Sequence, residues 1–123
     1  MYAQVDLIEF LTANDIVPVA YSPIGRYNST RAPSLDILSH DKTGLLEKLA
    51  TKYEKSAIQI MLNWGLCRGY VVIPKASSLT HQKANFEAQG FRLKDDEVKQ
   101  ITEQFDCGEI LFKSTTGSFN VFV

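Results

Sequence analysis

Two short segments of the sequence hold the side chains best suited to chemistry. Tyr21 closes an apolar run, and its flat aromatic face can stack on another ring. Lys75 comes just before a helix start at Ser77 or Ser78. A cation next to the positive end of a helix is unfavourable unless an anion lies between them, so this pattern indicates a phosphate site. A hydrogen-bonded core tyrosine and a solvated surface lysine are the alternative interpretations.

The residues that follow these positions extend the candidate site. Residues 22–34, SPIGRYNSTRAPS, predict a long loop in which Gly25 allows close backbone approach and successive amides can hold a phosphate oxygen. A solvated turn is the alternative interpretation of this loop. Ala76, Ser77 and Ser78 offer hydroxyls and free amides at the predicted helix start.

Both segments follow predicted strands in a chain of alternating helices and strands. Apolar periodicity predicts helices over 3–13, 42–53, 56–66, 77–88 and 95–105, strands over 16–21 and 70–73, and a tail over 106–123. The second strand is apolar throughout, as strands buried on both faces are. Ser56 and Gln59 predict a capping box. The alternation indicates parallel connections, and two strands cannot close a barrel. The sequence therefore predicts a piece of a larger parallel α/β fold, or a half that needs a partner.

The composition excludes several classes of function. A formal net charge of -1 argues against a general electrostatic grip on nucleic acid or an anionic membrane. No apolar run is long enough to cross a bilayer, and the first residues, MYAQVDLIEF, do not resemble a signal peptide. Cys67 and Cys107 form no metal-binding pair with the scattered His40 and His81, which argues against zinc. We therefore expect free thiols and a cytoplasmic location.

Four motifs, in register, resemble the aldo-keto reductase family. Residues 20–25, AYSPIG, resemble the A-Y-S-P-L-G that follows barrel strand seven, and residues 71–76, VVIPKA, resemble the V-V-I-P-K-S/A that ends strand eight. Residues 56–64, SAIQIMLNW, are similar to the family helix T-P-A-Q-V-x-L-R-W. Asn85-Phe86 lies where the family has N-F. Order and spacing agree across nearly the whole chain.

The resemblance implies a fold and a reaction. The fold is the C-terminal portion of a (βα)8 TIM barrel, two parallel strands with flanking helices, so that residues 1–123 are a partial aldo-keto reductase domain whose tail, 106–123, borders the substrate pocket. The family reduces aldehydes and ketones by hydride transfer from a nicotinamide cofactor, usually NADPH. Its catalytic Asp, Tyr, Lys and His lie on strands two to four and the loops after them. No residue here matches those four, and Tyr21, Lys75 and His81 are not their counterparts.

The resemblance also implies a cofactor site with NADP as its ligand. Tyr21 is expected to stack on nicotinamide, the loop after it to cover the pyrophosphate, Lys75 to bind the 2′-phosphate and Asn85 to hold the adenine edge. Ala76, His81 and Ala84 stand where many members have Ser, Arg and Glu, and histidine cannot form arginine's bidentate fork, so NAD stays open. The predicted cofactor-binding residues are Tyr21, Ser22, Pro23, Ile24, Gly25, Pro74, Lys75, Ala76, Ser77, Ser78, His81 and Asn85.

Three functions are consistent with the sequence. The chain is part of a reductase acting on a small carbonyl substrate once the barrel is complete, a module that binds the dinucleotide without catalysis, or a structural relic of the fold. In the third case, a protein partner covers the apolar surface that two orphan strands would expose. Leu79, Phe86 and Phe91 are expected to pack rather than bind, and Trp64 to lie in the core.

Overall fold

The computed structural model describes residues 3–25 and 41–106, which form five helices and two strands. In chain order these are α1 (Val5–Ala13), β1 (Val19–Tyr21), α2 (Leu45–Tyr53), α3 (Ala57–Cys67), β2 (Val71–Ile73), α4 (Leu79–Glu87) and α5 (Asp95–Phe105). The predicted order of helices and strands is therefore found, whereas the loop beyond Gly25 and the tail beyond Asp106 lie outside the described residues.

The two strands pair in parallel. Val19 lies beside Val71 and Tyr21 beside Ile73, and the Val71 amide donates to the Pro18 carbonyl at 2.9 Å. β1 begins three residues later than predicted because the amide of Ile16 donates to a carbonyl of α1 at 2.9 Å. Residue 16 therefore completes the end of the helix and is not part of the sheet.

The sheet is covered on one face only within the described part of the chain. Val72 faces α3, where a β-carbon added to Gly65 would lie 3.0 Å from its Cγ1. The opposite face carries four exposed side chains, which lie side by side in the strand register: Val19, Tyr21, Val71 and Ile73. The prediction that the second strand is buried on both faces is therefore wrong here, because no described element packs against this face.

The core forms around α3, which is buried along most of its length. Its apolar side chains pack with buried residues of α2 and α5: Leu46, Leu49, Ile60, Met61, Trp64, Leu93, Ile101 and Phe105 belong to this cluster. The indole of Trp64 also donates from Nε1 to the Thr102 hydroxyl at 3.0 Å. The core position predicted for Trp64 is thus confirmed, and Phe91 packs against the same cluster as predicted.

Helix ends follow the local sequence signals. The Ser56 hydroxyl accepts from the Gln59 amide and the Gln59 side chain accepts from the Ser56 amide, which confirms the capping box. The Ser78 hydroxyl accepts from the His81 amide at 3.3 Å, so Ser78, of the two candidates, caps α4. α3 is followed by Gly69 at a φ of 87°, where a residue without a side chain avoids steric cost.

The outer face of α4 is apolar at two positions. Leu79 is 66% exposed and Phe86 74% exposed, so the prediction that both pack is wrong for the part of the chain that the structure describes. The helix turns Ala84 toward α3 instead, as shown by the hydrogen bond that its carbonyl accepts from Gln59. Leu79 and Phe86, seven residues apart, lie on a shared face that no described element covers.

Candidate functional site

The parallel register brings the two predicted segments to one edge of the sheet. β1 ends at Tyr21 and β2 ends at Ile73, its register partner. We call the residues that follow these strands, together with Tyr21 itself, the strand-end edge: Tyr21–Gly25 and Pro74–Ser78. In parallel α/β folds, ligands bind at the carboxyl ends of the strands, so this is the expected place for a binding site.

Tyr21 occupies a surface position at this edge. Its side chain is 66% exposed and lies on the uncovered face of the sheet, beside Ile73. The alternative of a buried core tyrosine is therefore not what the described residues show. An exposed aromatic face next to an aliphatic neighbour has the geometry that stacking on a planar ring requires.

The segment after β1 is a tight turn. The Gly25 amide donates to the Ser22 carbonyl at 2.8 Å, and the two residues have φ values of 61° and 48°. A left-handed conformation costs a non-glycine residue such as Ser22 about 1 kcal/mol. Pro23 is half-buried, and Ile24 packs against the core cluster, which anchors the turn to the body of the domain.

The segment after β2 presents hydrogen-bond donors. The Lys75 ammonium donates to the Ser77 hydroxyl at 3.1 Å, and both residues are exposed, whereas Pro74 and Ala76 are half-buried. The first amides of α4, beginning at Leu79, have no carbonyl partner within the helix. Residues 73–82 contain no carboxylate. A cation, a hydroxyl and free helix amides without an acidic neighbour match the chemistry of a phosphate group.

His81 and Asn85 continue the edge along α4. They are four residues apart and therefore lie on one face of the helix, one turn after the other. His81 is exposed and Asn85 half-buried. The predicted cofactor-binding residues thus lie on the strand-end edge or, for His81 and Asn85, along α4. The cofactor roles themselves stay predictions.

Sequence reasoning missed two residues that hold α4 in place. From α3, the Gln59 amide nitrogen donates to the Ala84 carbonyl at 3.0 Å. The Asn63 amide nitrogen donates to the carbonyls of Ala88 and Phe91 at 2.8 and 2.7 Å. We call Gln59 and Asn63 the amide latch. The available signal was two amides four residues apart on an otherwise apolar helix, which predicts a polar stripe on a buried face.

Residues 3–25 and 41–106 contain no metal cluster and no membrane span. No three of their His, Cys, Asp and Glu side chains gather closely enough to hold a metal ion. None of their helices is both long and apolar enough to cross a bilayer. Cys67 is a free, half-buried thiol whose sulfur donates to the Asn63 side-chain oxygen at 3.3 Å.

Comparison with known proteins identifies the class. The family model for the aldo/keto reductase family matches residues 1–105. The chain is 37% identical over 100 residues to aldo-keto reductase family 1 member D1 of Oryctolagus cuniculus, a match covering 81% of this chain and 31% of that protein. It is 39% identical over 101 residues to an NAD(P)H-dependent D-xylose reductase of Pyricularia oryzae, covering 78% of this chain and 31% of that protein. A solved aldo/keto reductase from Brucella melitensis superimposes with a TM-score of 0.64 at 30% identity, over 82% of this chain and 34% of that one.

The fold is therefore part of a (βα)8 barrel, as predicted, with two of its parallel strands and their flanking helices. The chain belongs to the aldo/keto reductase family. It spans 31% of the length of each of the two curated relatives described above. The uncovered sheet face of Val19, Tyr21, Val71 and Ile73 corresponds to the barrel interior, since the other face is covered by a helix, as on the outside of a barrel.

Proposed function

We propose that this chain supplies the cofactor-binding edge of an NAD(P)H-dependent aldo-keto reductase that reduces aldehydes or ketones. The observation that carries the proposal is the register of β1 and β2, which puts Tyr21 and the donors around Lys75 at the same edge. A ring-stacking position and a phosphate-binding position on one edge suit the two ends of a dinucleotide. The chain's similarity to an NAD(P)H-dependent reductase supports the same ligand.

Each residue of the edge has a defined part in this proposal. The exposed face of Tyr21 stacks on the nicotinamide ring and fixes the ring's orientation. The ammonium of Lys75, tethered to Ser77, neutralises phosphate charge together with the first amides of α4. When bound, the reduced nicotinamide supplies the hydride for the carbonyl carbon of the substrate. Asn85 presents its amide to the adenine edge.

None of the 123 residues receives the proton-donor role. Carbonyl reduction needs a positioned acid and its oriented partners, and the four family residues that do this have no match in this sequence. The proposal therefore places these residues on the remaining strands of a completed barrel. A small carbonyl compound is the substrate of that complete barrel, and a cytoplasmic location is part of the same proposal.

The phosphate end decides between NADP and NAD. Lys75 favours the additional 2′-phosphate of NADP, because a charge-assisted contact is stronger than a neutral one. Ala76 and His81 remove a hydroxyl and a guanidinium from the positions where the family often has them. We propose NADP as the preferred cofactor, with NAD as a weaker ligand of the same edge.

A fluorescence titration of the chain with NADPH and NADH tests this function. Saturable NADPH binding is expected, weakened by ~1.5–3 kcal/mol, about 10- to 150-fold, in Lys75→Ala. NADH affinity should change less in that variant. Lys83→Ala removes another exposed lysine, from α4, and serves as the matched control, with no loss expected. Absence of saturable binding by both cofactors would rule out a chain that binds the dinucleotide by itself and would leave an incomplete reductase or a structural part. Saturable binding that Lys75→Ala does not weaken would contradict the proposal.

A second candidate function is a structural one, as a non-catalytic part of a larger assembly. The observation that favours it is the uncovered apolar face, where Val71 is 45% and Ile73 53% exposed. Faces of this kind mark protein interfaces. Analytical ultracentrifugation of the wild type and of Val71→Thr, which keeps the shape but replaces a methyl group by a hydroxyl, tests it. Self-association that the variant weakens, without any cofactor binding, would favour this second function.

A further inference from the structure

α4 carries much of the candidate phosphate site but has little apolar anchorage of its own. None of its nine residues is buried, and its two large apolar side chains, Leu79 and Phe86, are exposed. Within the described chain, therefore, packing of its own side chains does not explain how the helix keeps its place. Its position has to be set by other contacts.

The amide latch provides those contacts. Gln59 and Asn63 are only 6% and 2% exposed, and both donate to backbone carbonyls at the far end of α4 or just beyond it. The Asn63 side-chain oxygen also accepts from the Leu93 amide at 3.0 Å. Because hydrogen bonds depend on direction as well as distance, these contacts fix the helix axis and not merely its proximity.

The same helix that carries the latch is packed against the sheet. Gly65 of α3 lies close to Val72 of β2, with space for no larger side chain at ordinary contact distance. Because α3 contacts both α4 and β2, the amide latch fixes the position of α4 relative to β2, the strand that ends at the phosphate site. Asn63 is a feature of this chain, since it stands at the arginine of the L-R-W pattern in the similar family helix.

We propose that Gln59 and Asn63 are positioning residues for the phosphate end of the cofactor. By fixing α4, they set where the first helix amides, Ser78 and His81 lie relative to Lys75, and so set the affinity for the adenosine 2′-phosphate end. This proposal rests on the proposed function for its ligand, but the geometry of the latch is independent of it. The hydrogen bonds of Gln59 and Asn63 to residues 84–93 do not involve β1, which carries Tyr21.

Substitution of Gln59 separates the latch from the helix cap. The Gln59 side chain makes three hydrogen bonds: its Oε1 accepts from the Ser56 amide at 2.9 Å and from the Ser56 hydroxyl at 3.2 Å, and its Nε2 donates to the Ala84 carbonyl. Gln59→Met has nearly the same shape and removes all three. Ser56→Ala is the matched control, since it removes the cap hydroxyl, and with it one contact of Gln59 Oε1, but leaves the Nε2 donation to the Ala84 carbonyl in place.

Two measurements on the full chain report on the latch. Hydrogen exchange of the α4 amides, without ligand, is expected to be on the order of tenfold faster in Gln59→Met than in the wild type. Calorimetric affinity for adenosine 2′,5′-bisphosphate is expected to fall on the order of tenfold, and affinity for nicotinamide mononucleotide to stay unchanged. Ser56→Ala should lower the unfolding temperature but leave the exchange of α4 and both affinities as they are.

A conservative variant provides the rescue. In Gln59→Glu the ionised carboxylate cannot donate to Ala84, whereas the protonated carboxyl can. The ratio of the exchange rates of the α4 amides in Gln59→Glu and in the wild type, measured at the same pH, should therefore fall toward one as the pH falls. This readout needs no ligand and would not follow from a general loss of stability.

The outcomes distinguish the two proposals. Unchanged hydrogen-exchange rates of the α4 amides in Gln59→Met would overturn the latch. Equal losses of affinity for adenosine 2′,5′-bisphosphate and for nicotinamide mononucleotide would overturn it as well. If the wild type fails to bind adenosine 2′,5′-bisphosphate while α4 exchange responds as expected, the ligand assignment is wrong and the positioning role for the cofactor falls with it. If Gln59→Met does not fold, the pH dependence of Gln59→Glu decides, and a flat profile would overturn the latch.

Discussion

The Tyr53 hydroxyl donates to the Glu97 carboxylate at 2.5 Å and so joins α2 to α5. The Lys52 ammonium donates to the other carboxylate oxygen, also at 2.5 Å, and the Lys94 amide donates to the first at 2.9 Å. Glu97 is only 5% exposed. Burial alone would raise the pKa of Glu97, but the hydrogen bonds from Lys52, Tyr53 and the Lys94 amide outweigh it and hold the pKa below its ordinary value.

Glu97→Gln should destabilise the fold by about 1–3 kcal/mol at neutral pH, because it weakens hydrogen bonds to a buried charged acceptor. Since the folded pKa is lowered, the stabilisation is present above the unfolded pKa of about 4.3 and is lost as the pH falls through the folded value. Urea unfolding at pH 7 and along an acid series measures both effects. The variant should show a flatter acid limb than the wild type.

Glu103→Gln is the control for that prediction. Glu103 pairs with Lys99 at 3.7 Å, but its side chain is 65% exposed, so this ion pair should contribute little. An equal loss of stability in the two variants would show that general charge, rather than the buried contacts of Glu97, governs the acid limb.

Tyr70 should control part of the alkaline limb. Burial raises its pKa to about 12, with Arg68 opposing this shift and Asp106 adding to it. In the unfolded chain the pKa of a tyrosine is about 10. The contribution of Tyr70 to the stability of the fold is therefore fully present below that pH and is lost as the pH rises toward the pKa of the folded state. Tyr70→Phe keeps the edge-to-face contact with the Trp64 ring, whose centroid is 5.8 Å away, and should flatten the loss of stability in this range. Unfolding is followed by tryptophan fluorescence. If Tyr70→Phe loses stability at alkaline pH as steeply as the wild type, the prediction is contradicted.

Gly65 sets the spacing between α3 and the sheet. A β-carbon there would lie 3.0 Å from Val72 Cγ1 and 3.3 Å from Tyr70 Cδ2. Gly65→Ala should therefore lower the free energy of unfolding by about 1–2 kcal/mol, even though alanine favours the helix by up to ~1 kcal/mol. Trimming the neighbour in Gly65→Ala/Val72→Ala should recover part of the loss relative to the sum of the single variants. Strictly additive urea unfolding energies would show that the two sites do not clash.

The strand-end edge could be predicted from sequence because local signals define it. Proline and glycine mark where β1 and β2 end, and alternation with helices predicts parallel pairing, so Tyr21 and Lys75 had to approach each other. Helix caps such as Ser56 and Ser78 were equally predictable, since cap and partner lie three residues apart. These inferences need neither a tertiary contact nor knowledge of the rest of the barrel.

The remaining features depend on contacts between distant residues. Asn63 and Leu93 are 30 residues apart, and Glu97 lies 44 residues from Tyr53, so no local pattern could pair them. Glu97 lies in the acidic first turn of α5, where a carboxylate is expected on the surface. The local sequence therefore explains its residue type without indicating that it is buried. The exposure of Phe86 was missed because an apolar residue next to a predicted site suggests packing, whereas the described elements leave that face of α4 uncovered.

His81 should limit the preference for NADP over NAD. It is exposed on the third position of α4, close in sequence to the Ser78 cap, and the family often has an arginine there. His81→Arg supplies a permanent charge and a bidentate fork, so affinity for NADPH should rise about tenfold while affinity for NADH changes little. Gln82→Arg adds the same charge one position along the helix, on a different face, and is the matched control. Fluorescence titrations of the two variants with both cofactors measure the ratio. An equal gain for NADPH in both variants would mean that net charge acts alone, and no gain in His81→Arg would place the 2′-phosphate away from this turn of α4.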